Sequence, residues 1–131
     1  MESAGRLPPG KSLVANQVLY NLERRAIERR IIPWCRRHEI LVMAYSPLEQ
    51  GRLDRGTILR EIAERHGATP AQIALVWTLR HDNVVAIPKA GRPEHVRENA
   101  AALAFTLTDQ DLDELDRAYA PPSHDAKLET L

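Results

Sequence analysis

Apolar positions along the chain change their spacing several times, and each change marks an element. LVANQV (13–18) and EILVMAY (39–45) are short apolar stretches, the second unbroken from Ile40 to Tyr45. Unbroken runs of this length suit strands buried on both faces, as parallel strands are. VVAI (84–87) is a third such run, rich in β-branched residues and closed by Pro88, which has no N–H to give to a ladder. Between the strands the period lengthens to that of a helix. Ile27, Ile31, Ile32, Trp34 and Cys35 share a face amid Arg24, Arg25, Arg29, Arg30, Arg36 and Arg37, which predicts an amphipathic helix over about 28–38. Pro33 confines its first turn, because a proline deeper in a helix removes a hydrogen bond and clashes with the preceding turn.

Later helices carry clearer end signals. Ile58, Leu59, Ile62 and Ala63 predict a helix over about 56–66, with Gly67 at the left-handed C-terminal cap. Thr69 and Pro70 supply an N-cap and a first-turn proline for AQIALVWTLRH, where Ile73, Val76 and Trp77 share a face. Pro93 opens EHVRENAAAL, and Thr108 with Asp109 and Asp111 starts a last helix whose apolar positions are Leu112, Leu115 and Tyr119. The order is strand, helix, strand, two helices, strand, two helices. It predicts an α/β fold with about three parallel strands joined by right-handed crossovers. Such a sheet has two raw edges and a face short of partners, so self-association through the open edges is an expected liability. Residues 1–12, with Gly5, Pro8, Pro9 and Gly10, read as an arm, residues 13–120 as the folded unit, and residues 121–131 as an extended tail.

Composition narrows the function classes. The chain has 131 residues, with eighteen basic and eighteen acidic side chains and a formal net charge of zero. A balanced charge argues against nucleic acid or an anionic membrane as partner, so any anion site must be local. No apolar run approaches the roughly 20 residues of a membrane span, and MESAGRLPPGK has no apolar signal core, so the expected location is cytoplasmic. Cys35 is the single cysteine, with no partner for a disulfide, and the five histidines lack metal-ligand spacing, so no metal is expected. Of the eighteen basic residues only Lys11, Lys89 and Lys127 are lysines, and Lys89 alone is interior.

Candidate chemistry gathers after the strands. IPKAGRPEHVREN places Lys89, Gly91 and Arg92 just before a helix N-terminus, where unpaired N–H groups and the helix dipole favour phosphate; a solvated loop with ordinary cations has the same spacing. AYSPL puts Tyr45 and Ser46 at the carboxyl end of a parallel strand, where ligands collect in α/β folds. Tyr45 can stack on a ring there or simply pack beside Pro47. Gln17 ends the first strand and can recognise an amide or satisfy neighbouring backbone. Gly51 and Gly56 have P-loop spacing, but Thr57 stands where the lysine belongs. Ser46 lacks the G-x-S-x-G setting of a nucleophile. Asp109, Asp111, Asp113, Glu114 and Asp116 read as helix-start and solvated-face charges, and Cys35 as core.

Four segments in succession, NQVLYNL (16–22), PWCRRHEILVMAYSPL (33–48), TPAQIALVW (69–77) and IPKAGRPEHVREN (87–99), closely resemble the C-terminal part of bacterial aldo-keto reductases. The resemblance runs from about residue 13 to residue 119. It implies a partial (β/α)₈ barrel carrying the family's strands six to eight. It also implies NADP(H) as cofactor, with Gln17 at the nicotinamide carboxamide, Tyr45 on the nicotinamide ring, and Ser46, Pro47 and Leu48 along the pyrophosphate. Lys89 meets the 2′-phosphate, with Arg92 as a second cation, and Glu98 and Asn99 hold the adenine. His95 departs from the pattern, since many relatives have arginine there and a neutral imidazole cannot replace its fork of donors; this weakens the expected preference for NADPH over NADH. The substrate implied for the complete enzyme is a small aldehyde or ketone. The family's catalytic Asp, Tyr, Lys and His come from its first four strands, so no catalytic residue is expected in this chain, which is read as a truncated, inactive portion. The alternative reading is a non-catalytic binding or assembly module that completes a barrel with another chain or with itself.

Overall fold

The computed structural model of the chain describes residues 13–53, 56–124, 128 and 130. The arm expected over residues 1–12 and much of the tail expected beyond Ala120 lie outside the described residues. Strands β1 (Ala15–Leu19), β2 (Leu41–Tyr45) and β3 (Val84–Ile87) form one parallel sheet in that order. Around them run α1 (Ile31–Arg37), α2 (Thr57–His66), α3 (Pro70–Thr78), α4 (Pro93–Ala101) and α5 (Asp109–Ala118), with short 3₁₀ turns at Glu49–Gly51 and Ala102–Ala104. This is the expected α/β architecture, three adjacent strands of a (β/α) barrel with their helices. No described helix is long and apolar enough to cross a membrane.

Strand alternation divides the sheet into two unlike faces. Val18, Val42, Ala44 and Val84 point to the helices and are buried with Ile32, Cys35, Leu59, Ile62, Ile73 and Trp77. Their neighbours in sequence point the other way, where Gln17, Leu41 and Ile87 are exposed and Met43, Tyr45 and Val85 half-buried. Leu19, at the end of β1 on this second face, is the buried exception.

Element ends differ from the expectations by a few residues, each for a local reason. β2 begins at Leu41 because Glu39 has a left-handed backbone (φ 55°) that no strand accommodates. α1 begins at Ile31, after turns over residues 26–30, which leaves Pro33 within the first turn where its missing N–H is harmless. α3 stops at Thr78, three residues before His81, after Thr78 has turned its hydroxyl back to donate to the Ala74 carbonyl at 2.9 Å. Gly67 has φ 59° and ψ 32° and closes α2 in the left-handed form, the conformation for which glycine has no steric penalty.

Two capping boxes fix the later helices. The Thr69 hydroxyl accepts from the Gln72 N–H, and the Gln72 side chain accepts from the Thr69 N–H. Thr108 and Asp111 repeat the arrangement at α5. Asp111 departs from the expected solvated charge, for it is buried. It also takes a hydrogen bond from the Thr108 hydroxyl at 2.7 Å and pairs with His66 at 2.8 Å, while the His66 ring stacks on Phe105. Burial opposes its ionisation and is the largest single influence. The Thr108 N–H, His66 and the Thr108 hydroxyl together outweigh it and hold the carboxyl below the usual aspartate value. A carboxyl depressed in the folded state stabilises the fold above its unfolded pKa, and that contribution is lost as pH falls through the folded one. Asp111→Asn is therefore expected to lower stability by about 2 kcal/mol near neutral pH. The gap to the parent should narrow as pH drops below the usual aspartate range, measured as urea midpoints across pH; a gap that stays constant down to pH 3 contradicts this.

Candidate functional site

The carboxyl ends of the three strands make one rim. Register aligns Leu19, Tyr45 and Ile87 there, and sets Gln17 beside Met43, one side-chain repeat deeper on the same face. Gln17 is exposed and Tyr45 half-buried, and among the described residues neither side chain has a hydrogen-bond partner. Both polar groups are thus free to meet a ligand on that face. β1 and β3 are separated by one strand, so residues at their ends stand about 10 Å apart.

The segment leaving β2 turns sharply. Ser46 (φ 49°), Glu49 (φ 46°) and Gln50 (φ 55°) are all left-handed, followed by Gly51 at φ 80°. A left-handed non-glycine residue costs about 1–2 kcal/mol, so three in one short loop need external restraint. Asn21 supplies it. Its side-chain amide donates to the Ser46 carbonyl at 2.9 Å and to a Glu49 carboxylate oxygen at 2.7 Å, while its own oxygen accepts from the N–H groups of Glu23 and Arg24. The other Glu49 oxygen pairs with Arg24 at 3.2 Å. Asn21, Glu49 and Pro47 are buried, and Leu48 packs against the core. Sequence reading missed Asn21 and Glu49. Asn21 lies within the segment NQVLYNL, but its partner is 28 residues away, and Glu49 in a loop reads as a solvated charge.

Beyond β3 the chain presents positive charge. Lys89 follows Ile87 by two residues and is exposed. Arg92 is the N-cap of α4, making no side-chain capping bond, and Pro93 takes the first helical position. The first-turn N–H groups are therefore left open to an anion. An open recess of about 480 Å³ lies here, walled by Ala90, Gly91, Arg92, Pro93, Val96 and Arg97. Lys89 is not one of its walls, whereas Arg97, absent from the sequence-based set, is. Among the described residues Lys89, Arg92 and Arg97 have no ion-pair partner. Glu98 offers its side chain to solvent while its carbonyl accepts from Gln72 Nε2 at 2.9 Å; Asn99 is half-buried. His95 is exposed on the same helix.

Other reactive side chains stand apart from this rim. Tyr20 is fully buried and donates to Glu28 at 2.9 Å; burial, the largest cause, pushes its phenol far up. Burial likewise pushes the Cys35 thiol up, as befits a core residue. Among the described residues no three metal-ligating side chains converge.

A parallel sheet with helices packed on it, and with amide, aromatic and cationic groups at its carboxyl rim, defines a piece of a (β/α) barrel that carries part of the barrel's carboxyl face. The chain belongs to the aldo/keto reductase family, whose model matches residues 1–120. It is 42% identical over its full length to the methylglyoxal reductase YeaE of Escherichia coli, covering 48% of that protein, and 36% identical to a glyoxal reductase of Bacillus subtilis, over 79% of this chain and 36% of that one. The structure of an aldo-keto reductase from Klebsiella pneumoniae in complex with NADPH superposes with a TM-score of 0.94 at 42% identity, covering 99% of this chain and 48% of that one. The chain therefore spans about half the length, or less, of the relatives it matches.

Proposed function

We propose that this chain is the NADP(H)-binding portion of a reductase acting on small aldehydes and ketones. The carrying observation is that one rim gathers a free amide (Gln17), a half-buried ring (Tyr45), a tight backbone turn (Ser46–Gly51) and an open cationic helix start. That is the sequence of groups a nicotinamide dinucleotide needs along its length. In this reading Gln17 holds the carboxamide, Tyr45 stacks on the nicotinamide, and Ser46, Pro47 and Leu48 line the pyrophosphate. Lys89 and Arg92, helped by Arg97, neutralise the 2′-phosphate, and Glu98 and Asn99 flank the adenine. When bound, the nicotinamide supplies the hydride; the residues of this chain bind it, orient it and cover one side from water. In this reading the groups that protonate the carbonyl come from the family's first four strands, and this chain supplies none of them. The relatives, a methylglyoxal and a glyoxal reductase by name, support a small carbonyl compound as the substrate class, and Klebsiella pneumoniae aldo-keto reductase structures in complex with NADPH and NADP support NADP(H).

Titration of the purified chain with NADPH, followed by quenching of tryptophan fluorescence, is expected to show saturable binding, and 4-nitrobenzaldehyde with NADPH should show no turnover. The absence of saturable binding removes the cofactor assignment. Turnover at an ordinary enzymic rate removes the assignment of the proton-donating groups to another part of the barrel.

A further inference from the structure

We infer that Asn21, Glu49 and Arg24 form a positioning clip whose purpose is to hold Ser46–Gly51 in its left-handed shape for a pyrophosphate. The inference rests on the NADP(H) reading of the rim. Three observations carry it. First, Ser46, Glu49 and Gln50 all have positive φ, a conformation a free loop of non-glycine residues leaves readily, so something must over-determine it. Second, the restraint is polar and buried: Asn21 is wholly enclosed and Glu49 nearly so, with the amide–carboxylate contact at 2.7 Å and Arg24 closing the far side at 3.2 Å. A buried carboxylate needs such compensation, and an apolar plug would fill the space without dictating backbone direction. Third, the clip grips the turn at two points, since the same Asn21 amide also donates to the Ser46 carbonyl at 2.9 Å. With that carbonyl drawn inward, it is kept from a ligand that repels it.

The clip makes the loop between β1 and α1 a determinant of the loop after β2, 25 to 28 residues away. Asn21, Glu49 and Arg24 touch no ligand in this arrangement; they act through the backbone of Ser46, Pro47 and Leu48. Their effect must then fall on ligands that carry a pyrophosphate and spare those that do not.

The test measures affinities of the full chain for NADPH and for adenosine 2′-phosphate, which has the adenine and 2′-phosphate but no pyrophosphate. Asn21→Asp keeps the shape, retains the acceptor for the Glu23 and Arg24 N–H groups, and replaces the donor with a charge that repels Glu49. It is expected to weaken NADPH about tenfold, the scale of one lost charge-assisted hydrogen bond, and to leave adenosine 2′-phosphate within about twofold. Adding Glu49→Gln restores the contact between the two side chains with donor and acceptor roles exchanged, and should recover part of the NADPH affinity, the Ser46 carbonyl still lacking its donor. Should Asn21→Asp fail to fold, Glu49→Gln alone, which removes only the charge, is expected to weaken NADPH about threefold with the same selectivity. Equal losses for both ligands, no loss for NADPH, or no rescue in the double variant overturns the clip while leaving the cofactor reading intact. Failure of the parent chain to bind NADPH overturns both.

Discussion

Trp77→Ala is expected to lower the unfolding free energy by about 3–5 kcal/mol, a large share of the roughly 5–15 kcal/mol by which a domain is stable. Trp77 is fully buried, with the Tyr20 ring 5.3 Å away. The Arg80 guanidinium lies 3.7 Å and that of Arg25 4.9 Å from its ring centre. Two cations beside one ring repel each other unless a counter-charge is near, and Glu28 provides it, reaching Arg25 at 2.9 Å, Arg80 at 2.7 Å and the Tyr20 hydroxyl at 2.9 Å. Burial is the largest influence on Glu28 and opposes its charge, yet the two arginines prevail and hold its carboxyl below the usual glutamate value. Arg25 continues outward to Asp116 at 2.8 Å and to the Tyr119 carbonyl. One indole thus joins the loop after β1, helix α3 and the end of α5. Removing it leaves a cavity and strips away two cation–π contacts made at a fully buried ring. Trp34, half-buried and stacked on His38, remains as the fluorescent reporter for urea unfolding. A loss under 1 kcal/mol shows that the cluster decorates the fold without holding it. Trp77→Phe, which keeps a ring for the cations, should fall between the parent and the alanine variant.

What could be read from the chain beforehand depended on sequence distance. Thr69, Pro70, Gly67 and Thr108 declare their elements because a cap acts on backbone two to four residues away, and each stands where the local pattern put it. The three strands were legible because burial on a parallel sheet demands an apolar run. Arg25 was not. Its spacing placed it among the polar flank of a helix over 28–38, yet it is buried, because the chain there forms turns and its charge is met by Asp116, 91 residues on. Asn21 and Glu49 escaped notice for the same reason. A buried ion pair has no local signature, since each member alone looks like a solvated residue and only the fold supplies the other. The candidate site shows the same division. Gln17, Tyr45 and Lys89 were singled out at or just after strand ends, while Arg97 was passed over because it lies within α4 and its place beside the recess shows only in the fold.

That division also distinguishes the two ends of the rim physically. Tyr45 and the Ser46–Gly51 turn rest on the core through Ala44, Pro47 and Leu48, so this end of the rim, which the proposed reading gives to the nicotinamide, is built on rigid ground. α4 has no buried residue, and the base of the cationic end is its turn into Ala102, which is buried. Binding free energy at the cationic end therefore comes from charge more than from shape, and it should fall as salt rises.

Lys89→Ala is expected to weaken NADPH about 10- to 100-fold, the loss that follows when one charge-assisted hydrogen bond to a phosphate worth about 1.5–3 kcal/mol disappears. NADH lacks the 2′-phosphate, so its affinity should change by less than about twofold, and the contrast between the two cofactors isolates the phosphate from any general damage to the loop. Lys89 is exposed and has no ion-pair partner among the described residues, so its removal leaves no orphaned carboxylate behind and the fold should unfold at an unchanged urea concentration. Arg92 and Arg97 wall the recess that Lys89 does not, which makes them the rival bearers of the same charge. If Arg97→Ala loses NADPH affinity and Lys89→Ala does not, the phosphate sits over the first turn of α4 and the lysine assignment falls. Losses in both, each abolished in high salt, place it between them, where a lysine's mobile ammonium and an arginine's fixed fork can each reach an oxygen.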